Sequence, residues 1–559
     1  MIKRSLQNFE AKNIFSSAIF YNGLIITLSI LLFVPFLGSV HLFDWDEINF
    51  AECAREMLVS KNYSVVQINF QPFWEKPPLF IWMQVLSMKL FGMNEFAARF
   101  PNAICGIITL LLIFNIGTYI YNAQFGLLWV LAYAGSFLPH FYFKSGIIDP
   151  WFNLFIFLGI YFFMLFTNKK NTTSKTLILS ALFIGLGIMT KGPVALLIFG
   201  LCGGSYFIVE RFKINITLQQ ILIYTIVVLS IGGLWFFIEA LLGHTAIIIE
   251  FFNYQIRLLK TEDAGHGGPF YYHFLILLIG CFPASIFAIS AFRKNLGDNF
   301  LQLHTKKWML ILFFVVLILF SIVKTKIVHY SSLTYFPLTY LAAYSIYKLL
   351  AKQIKWQKWM SYACLSVAFL LGLALAILPF VDRYKQKIIA SNLIHDAFAV
   401  ANLQANVLWN GYEFLIGIFF LAGIIFMLLL IKKQKLKTGI LGIFFVSLIT
   451  VNLATIILVP KIEKYSQGAA IEFYESLQNK NCYVETIGFK SYAHLFYTQK
   501  PIHSNSQQET SILTGETDKP AYFVSKITEE QNIKQNYPQL EELYRKNGFI
   551  FFKQKTFAP

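Results

Sequence analysis

A bundle of membrane-spanning helices with a small polar α/β domain at its carboxyl end is the fold class this sequence predicts. Three observations predict it. Of 559 residues, 57% are hydrophobic and only 13% charged, about half the charge share of a soluble domain. The apolar residues gather in runs long enough to cross a bilayer. The loops between those runs alternate between lysine-rich and chemically mixed, as a threaded chain requires. The net charge of +17 therefore reads as membrane topology, and no nucleic-acid partner is implied.

Taken in order, the spans fall at about residues 22–41, 97–121, 124–143, 150–167, 176–190, 193–209, 219–241, 270–291, 308–323, 330–348, 359–380, 411–431 and 438–459. That makes about thirteen. The first follows a basic amino terminus (Lys3, Arg4, Lys12) and has no small-residue cleavage site, so it reads as a retained helix. The fifth and sixth flank Lys191-Gly192-Pro193 and are short enough to be read as one broken helix. Leu79–Phe91 is too short and too interrupted by Gln84 and Lys89 to span, and reads as an interfacial helix in the first outside loop.

Six loops hold Lys3/Arg4/Lys12, Lys169/Lys170/Lys175, Arg211/Lys213, Arg293/Lys294/Lys306/Lys307, Lys348/Lys352/Lys355/Lys358 and Lys432/Lys433/Lys435/Lys437. Only Glu10, Glu210 and Asp298 accompany them. By the positive-inside rule these loops face the cytoplasm. The amino terminus is then inside, and thirteen crossings leave the carboxyl terminus outside. A twelve-span count would put the last loops on the wrong side.

After about Pro460 the composition turns polar. A helix-like stretch (463–478), strand-like runs (483–488, 521–525, 548–552) and an amphipathic run (539–546) make residues 460–559 a small outside domain, with 1–459 the membrane domain. The tail carries no phosphate-cradling loop, metal spacing or triad, and is assigned an accessory role. The six cysteines (53, 105, 202, 281, 364, 482) show no paired spacing, so neither a zinc site nor a disulfide framework is expected.

The chemistry-bearing residues crowd into the other loop set. Phe43-Asp44-Trp45-Asp46-Glu47 follows the first span. Ionisable groups beside hydrocarbon serve ligands, ions or proton transfer, whereas an acidic turn before a helix also caps it. If a helix begins there, Glu52, Arg55 and Glu56 are expected as surface pairs. Glu75-Lys76-Pro77-Pro78 is a stiffened loop that either carries a surface ion pair or presents Lys76 to a lipid phosphate. Asp149 opens a helix, and Lys191 either snorkels to the surface or lines a cavity. His266, in Gly265-His266-Gly267-Gly268, and His329 read by themselves as exposed loop histidines, and Glu239 as interfacial.

Asp46-Glu47 with Phe50-Ala51-Glu52, Glu75-Lys76-Pro77-Pro78-Leu79 and Glu95-Phe96-Ala97-Ala98-Arg99-Phe100-Pro101 resemble the polyprenyl-phosphate-sugar-dependent membrane glycosyltransferases. That superfamily has a GT-C fold and includes the lipid A aminoarabinose transferases and the protein O-mannosyltransferases. The similarity continues in order through Asp149-Pro150, Thr190-Lys191-Gly192, Gln255-Ile256-Arg257, His266 and Lys324 to Tyr330, over about the first 340 residues. The resemblance implies Asp46 and Asp149 as catalytic carboxylates. It implies Lys76, Arg257 and Tyr330 at the donor phosphate. Asp44, Glu47, Glu75, Lys191 and His266 would line the substrate cavity, with Asp44 in a supporting or capping role. Asn49 and Phe50 depart from the aminoarabinose branch, which bears on the sugar and the acceptor.

The implied reaction moves a sugar from a polyprenyl-phosphate donor to a lipid A-like glycolipid, or another cell-envelope acceptor, on the outside of the bacterial inner membrane. A single displacement inverts the anomeric carbon. Negative charge builds on the departing phosphate, where Lys76 and Arg257 would stabilise it. No nucleotide is needed and no spacing demands a metal, although Glu75 with a nearby histidine has the chemistry to hold a divalent ion. Two other readings stand beside it: a protein hydroxyl as acceptor, and a lipid or ion transporter. A transporter would place ionisable groups through the membrane depth, and the helix interiors are nearly free of acids.

Overall fold

The computed structural model describes residues 2–168, 174–213, 216–260, 267–292, 297–502, 512–513 and 517–555, with backbone alone at 2–17 and 258–260. His266, Lys169, Lys170, Arg293 and Lys294 lie outside the described residues. Among those described, seven helices are long and apolar enough to cross a membrane, or up to nine if each of two bent pairs is one span.

Helix α1 (Ile2–Phe33) stops short of the expected end at residue 41, in a turn where Phe36 adopts φ +64°. A right-handed helix does not pass through that conformation. Helix α2 (Asp46–Ser60) then begins at the carboxylate cluster. A short hairpin, β1 (Gln67–Ile68) with β2 (Gln71–Pro72), leads through the Glu75-Lys76-Pro-Pro loop into α3 (Leu79–Phe91), the helix read as interfacial. Helix α4 (Glu95–Ile120) starts at Asn94, whose side chain accepts from the Ala97 amide at 2.9 Å, a regular N-cap.

The expected 124–143 span is broken into α5 (Ala123–Ala134), α6 (Phe137–Phe141) and a 3-10 turn at Tyr142–Lys144. At the break the Ser136 hydroxyl donates to the Ala132 carbonyl at 2.7 Å, and the Phe137 amide turns away to the Phe282 carbonyl. Local hydrogen bonding of that kind competes with the helical ladder. Helices α7 (Asp149–Thr167), α8 (Ser174–Lys191) and α9 (Val194–Val209) follow, so the segments around Lys191-Gly192-Pro193 are two helices. The expected 219–241 span is α10 (Leu218–Gly232) and α11 (Leu234–Leu241), bent by 56° at a Gly-Gly pair. Helix α12 (Thr245–Lys260) is amphipathic. The 270–291 span is α13 (Tyr272–Gly280) and α14 (Ala284–Ile289), bent by 114° at Cys281-Phe282-Pro283, where proline lacks the amide to continue a helix.

Helix α15 (Phe300–Ile322) is followed by a 3-10 turn at Val328–Thr334 and α16 (Tyr335–Leu350). After α17 (Lys358–Arg383), the short α18 (Lys385–Ala390) and α19 (Ala397–Leu403) cross the long loop to α20 (Leu415–Lys432). Then α21 (Leu436–Leu453), a wide π turn at Ala454–Leu458 and α22 (Val459–Ser466) run on as one 31-residue helix. Residues 459–460 therefore fall inside a helix, and the separate polar unit starts at α23 (Gly468–Ser476).

That unit is a four-stranded sheet in the order β3 (Tyr483–Ile487), β4 (Ala521–Lys526), β6 (Phe549–Gln554), β5 (Leu540–Lys546). The β3–β4 pair is parallel, crossing through α24 (Ala493–Thr498), and the other pairs are antiparallel. Alternation along the strands gives two faces. Phe523, Ile550 and Phe552 close one small core. Val484, Val524 and Phe551 share another with Phe473 and with Ile48, Cys53 and Met57 of α2. One face of the sheet and its helices thus pack onto the loop that carries the first carboxylates.

Candidate active site

Helix α2 divides the acidic cluster by its 3.6-residue period. Asp46 sits at the start, half-exposed. Glu47, one residue on, is turned inward and buried. Arg99 of α4 grips Glu47 through Nε–Oε1 at 3.0 Å and Nη2–Oε2 at 2.8 Å, and the amides of Phe43 and Gly146 donate to the same carboxylate. Arg99 also donates to the carbonyls of Leu37, Val40 and His41 at 2.7–2.9 Å. Burial alone would raise the Glu47 carboxyl, but the Arg99 charge and these hydrogen bonds hold it below the usual carboxylate range. Glu47 thus clamps three chain segments together instead of facing open space. Asp44 points the other way: its amide meets Gln467 at 3.3 Å, on the side of the polar domain.

The expected surface pairs of α2 are buried. Arg55 donates to both oxygens of Glu52 at 2.7 and 2.6 Å and to the Lys500 carbonyl at 2.9 Å, reaching across to the polar domain. Glu56 accepts from the amides of Asn69 and Phe70 at 2.6 and 2.7 Å. Those two residues hold φ +56° and +55°, the consecutive left-handed pair of a tight hairpin turn. Because the polar domain covers α2, the motif that looked like surface charge is core.

Asp46 faces other partners. Its Oδ2 lies 3.4 Å from Nε2 of His329, and the same nitrogen lies 3.8 Å from Oδ2 of Asp149. The other oxygen of Asp149 binds Lys191 Nζ at 2.7 Å. Lys191 in turn sits over the rings of Tyr330, at 5.4 Å, and Phe152, at 5.7 Å. His329, read from sequence as an exposed loop histidine, has a side chain only 13% exposed between two carboxylates. The reading missed it because Asp46, Asp149 and His329 come from three distant segments. Glu239 corrects in the same way: it is fully buried and bonded to His244 at 2.8 Å.

The turn that carries His329 is tied to the helix that carries Asp149. Asn153 follows Asp149 by one helical turn on the same face of α7 and donates to the Ser332 hydroxyl at 2.7 Å. That hydroxyl donates to the His329 carbonyl at 2.5 Å. Lys326 caps α15 by donating to the carbonyls of Phe320, Ser321 and Val323.

A second group of cations stands beside this one. Lys76 Nζ and Arg257 Cζ lie 5.2 and 5.1 Å from the ring centre of Tyr254, and the Tyr254 hydroxyl donates to Glu75 at 3.1 Å. Burial lowers the pKa of the Lys76 ammonium from its usual value. Glu75 opposes that shift, Lys191 adds to it, and Asp46 and Asp149 pull it back up. One lysine thus senses all four charges, so the two groups form one electrostatic unit: two carboxylates with an imidazole on one side, and phosphate-type cations with an aromatic platform on the other. Of the residues expected at the site, Asp46, Asp149, Lys191, Tyr330, Lys76, Glu75 and Arg257 are gathered there. Glu47 and Asp44 point elsewhere, and His266 lies outside the described residues. A group with metal-ligand geometry among the described residues, His41, Glu95 and Glu475, lies at the seam with the polar domain, where His41 also bonds Glu463 at 3.1 Å.

Comparison with known proteins agrees with this geometry. The family model described as dolichyl-phosphate-mannose-protein mannosyltransferase matches residues 75–244. An undecaprenyl phosphate-alpha-4-amino-4-deoxy-L-arabinose arabinosyl transferase of Wigglesworthia glossinidia brevipalpis is 29% identical over 335 residues, 59% of each chain. One from Shewanella sediminis is 27% identical over 363 residues, 63% of this chain and 65% of its own. The match thus spans about three-fifths of the length of these relatives. The crystal structure of ArnT from Cupriavidus metallidurans bound to undecaprenyl phosphate superposes with a TM-score of 0.73 at 16% identity, covering 95% of this chain and 98% of that one. Its apo form gives 0.72 at 17% identity. The chain shares the GT-C fold of those structures, and the resemblance read from the motifs is borne out.

Proposed function

We propose that this protein transfers a sugar from a polyprenyl-phosphate carrier to a glycolipid of the bacterial cell envelope, with inversion at the anomeric carbon. The observation that carries the reading is the single electrostatic unit of Asp46, Asp149, Lys76, Lys191 and Arg257, assembled from five separate segments. The arabinosyl transferase relatives, whose names carry undecaprenyl phosphate and an aminoarabinose, support the donor class. A soluble phosphate-binding enzyme would need no such crowding at the ends of apolar helices.

Catalysis follows from charge placement. As the anomeric carbon–oxygen bond breaks, the electron pair goes to the departing phosphate. Lys76, Arg257 and the Tyr330 hydroxyl are placed to stabilise it in a site where water does not screen. Arginine grips two phosphate oxygens at once, whereas lysine acts as a point charge. Asp46 holds the incoming acceptor, and Asp149 fixes Lys191. Glu75 orients Tyr254 between Lys76 and Arg257, and with His266 it has the donor chemistry for a divalent ion. Inner-membrane residence follows from the spans. Taking each bent pair as one crossing and adding Ala18–Phe33, Ala123–Ala134, Val194–Val209 and α16 gives thirteen, with the amino terminus cytoplasmic. The site and the polar domain of about residues 460–559 then lie outside, the domain in an accessory role.

The test is transfer from a labelled undecaprenyl-phosphate aminosugar by purified Asp46→Asn and Lys76→Ala proteins. Each is expected to lose about 100-fold or more of kcat. Near-wild-type transfer by both would sink the assignment.

A further inference from the structure

We propose that His329 is the proton-holding residue of this site and that the acceptor nucleophile is an un-ionised hydroxyl. The proposal rests on the glycosyl-transfer reading above and names the acceptor chemistry of that same site.

One imidazole nitrogen stands between two carboxylates, 3.4 Å from Asp46 and 3.8 Å from Asp149. Asp149 Oδ2 is buried and has no hydrogen-bond partner among the described residues, so the nearest polar atom it faces is that nitrogen. A buried carboxylate oxygen left this way is costly. It becomes satisfied when the imidazole carries a proton on Nε2. The Asn153–Ser332–His329 relay keeps the ring from turning away from α7. The side chain of Asp46 is 32% exposed against 4% for Asp149, so Asp46 is the carboxylate a substrate can reach.

A phosphate dianion as acceptor would bring no proton to this arrangement and would add charge beside two carboxylates. A hydroxyl brings a proton that must leave as the new bond forms. The acceptor oxygen, held by Asp46, donates its electron pair to the anomeric carbon. The bond from that carbon to the phosphate oxygen breaks, and its electron pair stays on the phosphate. The hydroxyl proton passes to His329 Nε2, the ring having started with its hydrogen on Nδ1. The imidazolium formed is then flanked by Asp46 and Asp149, each of which strengthens its interaction in the transition state, where a general base gains most. The other charged or titratable groups around the ring are Lys191 on α8, Lys76 on the loop before α3, His273 on α13 and Lys326 and Tyr330 on its own segment. Lys191 and Lys326 are already engaged, by Asp149 and by helix-capping carbonyls.

The experiment compares wild type, His329→Gln and Asp46→Asn, each checked for thermal unfolding in detergent. The donor is a labelled undecaprenyl-phosphate aminosugar, and membranes from cells lacking the gene supply the acceptor. Glutamine places a donor near the Nε2 position but cannot take up a proton. The expected result is a kcat for His329→Gln about 100-fold or more below wild type, with KM for the donor unchanged within threefold. The rise of kcat with pH, present in wild type as the imidazole becomes neutral, should be absent. The labelled product should survive mild acid as a glycoside, where a glycosyl phosphate would be cleaved. Near-wild-type kcat with an intact pH limb in His329→Gln would overturn the role of His329, and an acid-labile product would overturn the hydroxyl acceptor. Either result with an inactive Asp46→Asn leaves the transferase reading standing. An active Asp46→Asn with an active Lys76→Ala removes that reading itself.

Discussion

At the residue scale, the chain separates neighbours by function. Asp46 and Glu47 are adjacent and chemically alike, yet one faces the substrate side and the other is locked to Arg99. A helix turns about 100° per residue, which is enough to send two carboxylates into different environments. Arg99→Leu would leave the Glu47 charge buried without its partner, a loss of about 3–5 kcal/mol. Chemical unfolding in detergent is the measurement. A melting point equal to wild type would show that the clamp contributes nothing. The sequence showed both residues as motif members but not which was structural, since that depends on where Arg99, from a helix some fifty residues on, is delivered.

At the scale of elements, the linkers do the positioning. Gly192 joins α8 to α9 at φ +88°, and a Cβ there would come 2.6 Å from Phe251 Cζ. Gly192→Ala therefore meets both backbone strain, about 1–3 kcal/mol, and a ring that must move. Lys191 is the residue before it, so transfer activity should fall together with thermal stability. Adding Phe251→Ala should relieve the clash but not the strain, recovering part of the stability. Glu56 has a similar task in the β1–β2 turn. Glu56→Ala removes both acceptors for Asn69 and Phe70 and loosens the hairpin before Lys76, so KM for the donor should rise more than kcat falls. Steady-state kinetics with varied donor separates the two. The helices themselves were legible: α3 and α7 run within a residue of the stretches read from hydropathy. The breaks at Ser136 and Pro283 and between Gly232 and Gly233 were not. An apolar run reports burial in lipid but not where the backbone bonds change partners.

At the scale of the whole molecule, the polar domain acts as a buttress. Tyr497 donates to the Leu42 amide at 2.7 Å, Gln467 to the Leu42 carbonyl at 2.7 Å, and Arg55 to the Lys500 carbonyl at 2.9 Å. His41 joins the seam through Glu463 and Glu475 at 3.1 and 3.7 Å. Burial lowers the pKa of His41, but the hydrogen bond and the glutamate charges outweigh it, and the net shift is upward. A group whose pKa is raised on folding contributes stability fully below its unfolded value, near 6.5, and loses it as pH rises through the folded value. Docking of the polar domain should therefore weaken on going from about pH 6 to pH 8, seen as faster amide exchange in Leu42 to Asp46 and α24. His41→Gln should flatten that dependence, and an unchanged exchange rate would remove His41 from the seam. Glu485 works in the opposite direction. Burial raises it, but His494 and Lys500 hold it at about 2, so its contribution is present above the ordinary carboxylate range and lost only as pH falls toward that value.

The amino-acid sequence by itself determined the membrane-embedded character, the approximate spans, the presence of a polar carboxyl-terminal unit and the residues Asp46, Lys76, Asp149, Lys191, Arg257 and Tyr330. These follow from hydrophobic run length, loop charge and local motif, all of which are written in short stretches of chain. Only the tertiary structure decided that Glu47 is a clamp, that the α2 ion pair is core beneath a docked domain, and that His329 stands between the two carboxylates. The physical reason is that burial and hydrogen-bond partnership depend on distances between segments one hundred to four hundred residues apart, and no local pattern encodes those distances.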